Sequence, residues 1–303
     1  MYSLSAAVWA SYVVLCLSAG PAEGRPLAYS ASSAGWIGLK RATLIVAISM
    51  ALGVLFGSLI GTSTVGAQVA AGAPDLLPAV SAGVAALALL GRVVPVSISQ
   101  IVISAGIGLS LRRGCVSQSF ALQALFWVIS PILVFLVTPP AYSLLRRNIM
   151  RANSLRSLDL TLKVTVNLSL ILLSFWRGVN VAAVLVWLVA QQTNYWEVAA
   201  LTAGAVLISC LFMRLLPTAR RDMAYYPDPS AFASRALSSL SGVILGVVLG
   251  VTASFTQLFY ASDLYFLSKM FVRRERLINR FLLSWAPALV SALSAFLLLA
   301  LLG

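Results

Sequence analysis

Two short segments carry the residue types that could handle a polar solute. Val94-Pro95-Val96-Ser97-Ile98-Ser99-Gln100 and Val251-Thr252-Ala253-Ser254-Phe255-Thr256-Gln257 each set two hydroxyls and an amide in the pattern Ser-x-Ser/Thr-Gln, at an offset of 157 residues. Proline lacks an N–H and restrains the residue before it, so a helix should stop at Pro95 and restart with Ser97, Ser99 and Gln100 at its amino end. A helix amino end presents unpaired N–H groups and the positive pole of the macrodipole, which favours an anion. The other use for such hydroxyls is to cap the helix itself.

Charged residues beside or within apolar runs form a second set. Glu23 and Arg25 follow the first apolar run, Arg177 separates two others, and Asp263 lies within the run after the second segment. An intramembrane charge is costly and commonly functional. Glu23 and Arg25 could line an ion pathway or mark the membrane interface, and Asp263 could bind a proton or a sodium ion or stand as a neutral carboxyl. Other chemistry is excluded. The chain has no histidine, which removes His-based acid, base and zinc chemistry. Cys16, Cys115 and Cys210 are too far apart for a metal spacing or a disulfide framework. With no nucleophile and base together and no metal cluster, an enzyme is not expected.

The elements that must position these residues are membrane helices. Of 303 residues 60% are hydrophobic and 10% charged, which fits no soluble class; the mean hydropathy is +0.97. Apolar runs cover 4–19, 43–62, 78–93, 96–111, 118–143, 160–175, 178–192, 197–216, 236–252, 254–272 and 279–302, close to the roughly 20 residues that span a bilayer core. One of these eleven must be partial if two halves are to match. Met1 to Gly20 looks like a signal peptide but lacks a positive start, and is expected to stay as the first helix. The net charge of +13 falls mostly in the connections, the positive-inside pattern and not a nucleic-acid footprint.

The two segments belong to a repeat. Trp127-Val128-Ile129-Ser130-Pro131 answers Trp285-Ala286-Pro287, and Leu17-Ser18-Ala19-Gly20 answers Phe175-Trp176-Arg177-Gly178, at offsets within a residue of 157. The halves are therefore 1–150 and 151–303. With the amino terminus outside and five crossings per half, Lys40, Arg41, Arg146, Arg147, Arg151, Arg156, Lys163, Arg235, Arg280 and other cations reach the cytoplasm, while only Arg112 and Arg113 clearly stay outside. That asymmetry implies inverted topology, both termini outside and a cytoplasmic Arg146 to Arg156 linker. Gly53, Gly57 and Gly61, and Gly242, Gly246 and Gly250, form four-residue stripes that let helices approach closely.

On these residues the chain resembles the inorganic phosphate transporter (PiT) family. Members carry a G-L-P-V-S-T-T-H/Q segment in each half, then a Gly-rich helix and a W-x-x-S-P turn; here these are Val94 to Gln100, Ser104-Ala105-Gly106-Ile107-Gly108 and Trp127 to Pro131. The family's G-x-N-D-x-x-N signature aligns with Gly20-Pro21-Ala22-Glu23-Gly24-Arg25-Pro26 and Gly178-Val179-Asn180-Val181-Ala182-Ala183-Val184. Only Gly20, Glu23, Gly178 and Asn180 carry over, so the oxygen-rich ligand set that a hard cation needs is depleted.

The resemblance implies an all-α polytopic bundle of about ten to twelve spanning or half-spanning helices, in two inverted repeats with broken helices. It implies a cell-membrane carrier that moves phosphate or a related oxyanion by alternating access, with Na⁺ or H⁺ as coupling ion and no other cofactor. Ser97, Ser99, Gln100, Ser254, Thr256, Gln257, Asn180 and Arg25 are the expected solute ligands, and Glu23 and Asp263 the expected ion-coupling groups. The alternatives are a carrier of another solute such as sulfate, or a non-transporting structural or regulatory paralogue. Expected partners are the anion and the lipid bilayer, with a homo-oligomer left open.

Overall fold

The computed structural model describes residues 6–60, 76–91, 97–114, 118–190, 194–213, 228–266 and 274–302, and among them every regular element is helical. The order is α1 (Ala6–Ala19), one π-helical turn (Gly20–Gly24), α2 (Arg25–Ser33), α3 (Leu39–Ile60), α4 (Leu76–Gly91), α5 (Ile98–Arg112), α6 (Gln118–Ile149), α7 (Leu155–Ala190), α8 (Tyr195–Phe212), α9 (Pro229–Val248), α10 (Phe255–Tyr265), α11 (Arg274–Leu283) and α12 (Ala286–Leu302). Seven stretches among the described residues are long and apolar enough to cross a membrane: Ala6–Ser33, Leu39–Ile60, Gln118–Ile149, Leu155–Val189, Tyr195–Phe212, Pro229–Val248 and Ile278–Leu301. α5, at 15 residues, is a shorter apolar helix of half-spanning length. The chain is a multi-pass membrane protein.

Burial is arranged for lipid rather than water. Leu52, Leu59, Leu136, Leu201 and Leu297 point outward, while many serines and two arginines lie inside. Hydrocarbon solvates leucine as well as a protein core does, so close packing and internal hydrogen bonds must hold the bundle. Ser58 and Thr138 return their hydroxyls to the carbonyls one turn back, and Thr138 also bonds Ser238 across the α6–α9 contact.

Helix ends follow local chemistry. Asn194 caps α8 by accepting from the Trp196 N–H, and Asp228 caps α9 by accepting from the Ser230 N–H ahead of Pro229 at the first helical position. Gly250, at φ 68°, closes α9: the Val251 N–H reaches back to the Gly246 carbonyl, a left-handed stop that favours glycine. The π turn contains Pro21 and ends two residues before Pro26, and the Arg25 N–H bonds the Gly20 carbonyl five residues back. Such a bulge lets a helix pass a proline without ending.

Contacts come in matched sets. α1 packs on α4 and α7 on α9; α3 packs on α7 and α1 on α8; α5 packs on α12 and α10 on α6. α5 and α10, which carry the hydroxyl segments, thus each lie against a helix from the other half of the sequence. The closest approaches are backbone to backbone. A Cβ on Gly53 would come 1.9 Å from the Phe175 carbonyl oxygen, and one on Gly178 would come 2.1 Å from that of Met50.

Three sequence expectations differ from the fold. The runs 160–175 and 178–192 are one 36-residue helix, α7, because Gly178 serves close packing against α3 and does not interrupt the helix. Arg177 therefore lies inside a helix, not between two. Of the second glycine stripe, Gly242 faces side chains and Gly246 faces the Val251 carbonyl and the Phe126 ring, but Gly250 is a helix stop, so only part of the stripe is packing. Arg235, expected at the cytoplasmic side, is 4% exposed within α9. Pro95, Gly61, Cys115 and Lys269 lie outside the described residues.

These contacts predict a contrast between two glycines. Gly53→Ala should overpack the α3–α7 contact and cost about 1–3 kcal/mol, seen as a lowered Tm in detergent. Gly204→Ala, which meets nothing within 4 Å, should leave it unchanged.

Candidate functional site

The two hydroxyl segments meet. Ser97 and Ser254 stand at the N-cap positions of α5 and α10 in extended backbone, yet neither side chain caps its own helix. The Ser254 hydroxyl instead donates to Gln100 Oε1 at 3.0 Å, across from one segment to the other. Capping was the competing use for these residues, and the hydroxyls are not spent on it.

Asn180, on α7, ties the same two segments together. Its Nδ2 donates to Ser99 Oγ at 3.0 Å and to the Ala253 carbonyl at 3.2 Å, while its Oδ1 accepts from the Ala253 N–H at 2.9 Å. Gln123, on α6, holds the preceding residue in the same way, donating from Nε2 to the Thr252 carbonyl and accepting from the Thr252 N–H at 2.9 Å. Trp127 Nε1 shares that carbonyl at 3.0 Å. Two side-chain amides thus replace the backbone ladder that the break before α10 removes.

The first segment is held by a charge. Glu23, in the π turn and fully buried, accepts from the Ile98 N–H at the start of α5 through Oε1 at 2.9 Å. Its Oε2 accepts from Arg177 Nε at 2.6 Å and from a second guanidinium nitrogen at 2.5 Å. A carboxylate at a helix amino end gains from the unpaired N–H and the macrodipole. In a low-dielectric interior a paired carboxylate and guanidinium replace two bare charges.

A second buried pair lies next to the first. Arg235 donates to Asp263 at 3.0 Å and to Ser30 Oγ at 2.9 Å. The Phe259 ring of α10 connects the pairs, with the Arg235 guanidinium 3.8 Å and that of Arg177 5.7 Å from its centroid, within cation–π range.

Several polar atoms here are buried but have no hydrogen-bond partner among the described residues: Ser97 Oγ, Gln100 Nε2 and both side-chain polar atoms of Gln257. Leaving such a group unmade costs about 1–3 kcal/mol. Four of them at two converging helix ends make a place where a polar solute or water would be held.

The expected residues therefore divide. Ser97, Ser99, Gln100, Ser254 and Asn180 are joined by direct hydrogen bonds or by sequence neighbourhood, and Gln257 is buried in the first turn of α10. Thr256 is half-buried on the same turn. Arg25 is half-buried with its guanidinium 5.7 Å from the Tyr29 ring. Arg177 is the cation paired with Glu23, the carboxylate that meets the start of α5. Asp263 faces a guanidinium. Arg177, Arg235 and Gln123 were absent from the expected ligands. Arg177 carried a signal, a charge between two apolar runs aligned with the Gly178 signature, whereas Gln123 is one amide in an apolar helix and nothing local distinguishes it.

The pair dictates a stability pattern. Arg177→Met alone would leave Glu23 buried without its guanidinium and cost about 3–5 kcal/mol. Adding Glu23→Gln should recover most of that loss, and thermal unfolding of the two variants in detergent checks the coupling.

No protein-family model matches the chain, and no curated protein matches it by sequence. Among solved structures it is similar to one described as "The sodium-dependent phosphate transporter", at a TM-score of 0.75 and 14% sequence identity, over 97% of this chain and 98% of that chain. The protein is a helical membrane bundle with the fold of that transporter along its whole length.

Proposed function

We propose that the chain is a secondary transporter of inorganic phosphate or a closely related oxyanion, working by alternating access between two inverted repeats, 1–150 and 151–303. The observation that carries this reading is the meeting of the two Ser-x-Ser/Thr-Gln segments, with Ser254 bonded to Gln100 and buried polar atoms of Ser97, Gln100 and Gln257 without a partner among the described residues. Discontinuous helices whose amino ends converge are the usual anion site of repeat-built carriers. The likeness in fold to a phosphate transporter supports phosphate as the leading solute.

In this reading Ser97, Ser99, Gln100, Ser254, Thr256 and Gln257 supply hydroxyl and amide contacts to the solute, and Asn180 fixes the separation of the two helix ends. Glu23 and Asp263 are the candidate groups for a coupling ion, Na⁺ or H⁺, each next to a guanidinium. The protein sits in the cell membrane with both termini outside and the Arg146 to Arg156 linker in the cytoplasm.

Two measurements test this. Proteoliposomes should accumulate labelled phosphate under an inward Na⁺ or H⁺ gradient, and a Ser97→Ala/Ser254→Ala protein should lose at least nine-tenths of that uptake, roughly 1.4 kcal/mol per tenfold, while unfolding near the wild-type temperature. Wild-type protein that moves neither phosphate nor sulfate under any gradient would leave a non-transporting paralogue as the better reading. In a Cys115→Ser background, Ala152→Cys should react with an impermeant maleimide only from the cytoplasmic face; labelling from outside overturns the orientation.

A further inference from the structure

We propose that Glu23 occupies the seat of the transported oxyanion, and that a proton taken up by Glu23 releases that seat, so that each anion enters with one proton. The inference rests on the carrier reading above and names how its solute site is held when empty.

The donors around Glu23 are those that bind oxyanions elsewhere. A helix-terminal N–H, that of Ile98, meets one carboxylate oxygen and the Arg177 guanidinium meets the other. A carboxylate offers two oxygens where phosphate or sulfate offers four. The further donors are present and unused: Ser97 Oγ at the N-cap of the same helix and Gln100 Nε2 in its first turn are 2% and 1% exposed, with no partner among the described residues. Gln257, in the first turn of the opposing helix, carries a second buried amide with no partner among the described residues. The seat thus has more hydrogen-bonding capacity than its present occupant can satisfy.

Charge then fixes the order of events. Arg177 is 1% exposed and needs an anionic partner in every state of the cycle. When the solute anion binds Arg177, Glu23 must leave as a neutral carboxyl, its proton coming from the side that supplies the anion. When the anion departs on the other face, Glu23 gives up the proton there and pairs with Arg177 again. The empty carrier returns without a bare buried cation. For a singly charged anion the cycle moves one proton and no net charge.

Four elements bring described residues to this turn. Arg177 comes from α7, the Cys210 thiol of α8 lies against Gly24, α3 brings the uncharged Val46 and Met50, and Arg25 flanks the turn on α2. Arg235 with Asp263 lies beyond Phe259.

Glu23→Gln separates the proposal from simple structural pairing. The variant cannot refill the seat with an anion of its own, so potassium phosphate should raise its Tm at about tenfold lower concentration than for wild type, potassium chloride having no such effect. In proteoliposomes it should keep phosphate-for-phosphate exchange, independent of pH, and lose net uptake driven by an acidic exterior. A vesicle-trapped pH dye should report proton entry with phosphate in wild type and none in the variant. Net uptake in the variant with unchanged pH dependence overturns the inference and leaves the carrier reading standing. So does a variant that neither phosphate nor sulfate stabilises while wild type transports. If wild type shows no uptake, no exchange and no anion stabilisation, the carrier reading fails and the inference with it.

Discussion

A buried charge needs a partner, and the two guanidiniums in the centre of this bundle set the terms for much that surrounds them. Arg177 is 1% exposed in the middle of a 36-residue helix. Leaving an ion unpaired in such a place costs about 3–5 kcal/mol, a large part of the stability margin of an ordinary domain. Glu23 must therefore be brought to it across the bundle. The π turn Gly20–Gly24 carries Glu23, and the bare backbones of Gly20, Gly53 and Gly178 let α1, α3, α7 and α8 come close enough for the pair to form. A Cβ at any of these three glycines would meet backbone atoms within 2.4 Å.

The same carboxylate links this electrostatic core to the interrupted helices. By accepting from the Ile98 N–H it fixes the start of α5, while neutral amides from Asn180 and Gln123 fix the strand of backbone before α10. The two ends are alike in sequence and unlike in how they are held. One is held by a carboxylate paired with a guanidinium, and the other by neutral side-chain amides.

Much of this was legible in the chain. Apolar runs of membrane length, cations in the connections and the matched Ser-x-Ser/Thr-Gln segments are local features, because a span, a loop charge and a helix break are each set by a few consecutive residues. They gave a membrane helix bundle and pointed to Ser97, Ser99, Gln100, Ser254, Gln257 and Asn180, which the fold does bring to two neighbouring helix ends. Local reading failed where the same residue serves either of two ends depending on its neighbours. Gly178 looked like a break and is a contact; Gly250 looked like a contact and is a helix stop; Arg235 looked like a loop cation and is buried with Asp263.

The sequence by itself thus determined the solvent of the protein, the approximate place of most of its apolar helices, and which polar residues stand at their breaks. The tertiary structure alone decided the pairings: Glu23 with Arg177 over 154 residues of chain, Ser254 with Gln100 over the same span, and Arg235 with Asp263 and Ser30. The reason is physical. Hydropathy and proline act within one helix, whereas the neutralisation of a buried charge depends on which distant helix the backbone packing admits to within 3 Å.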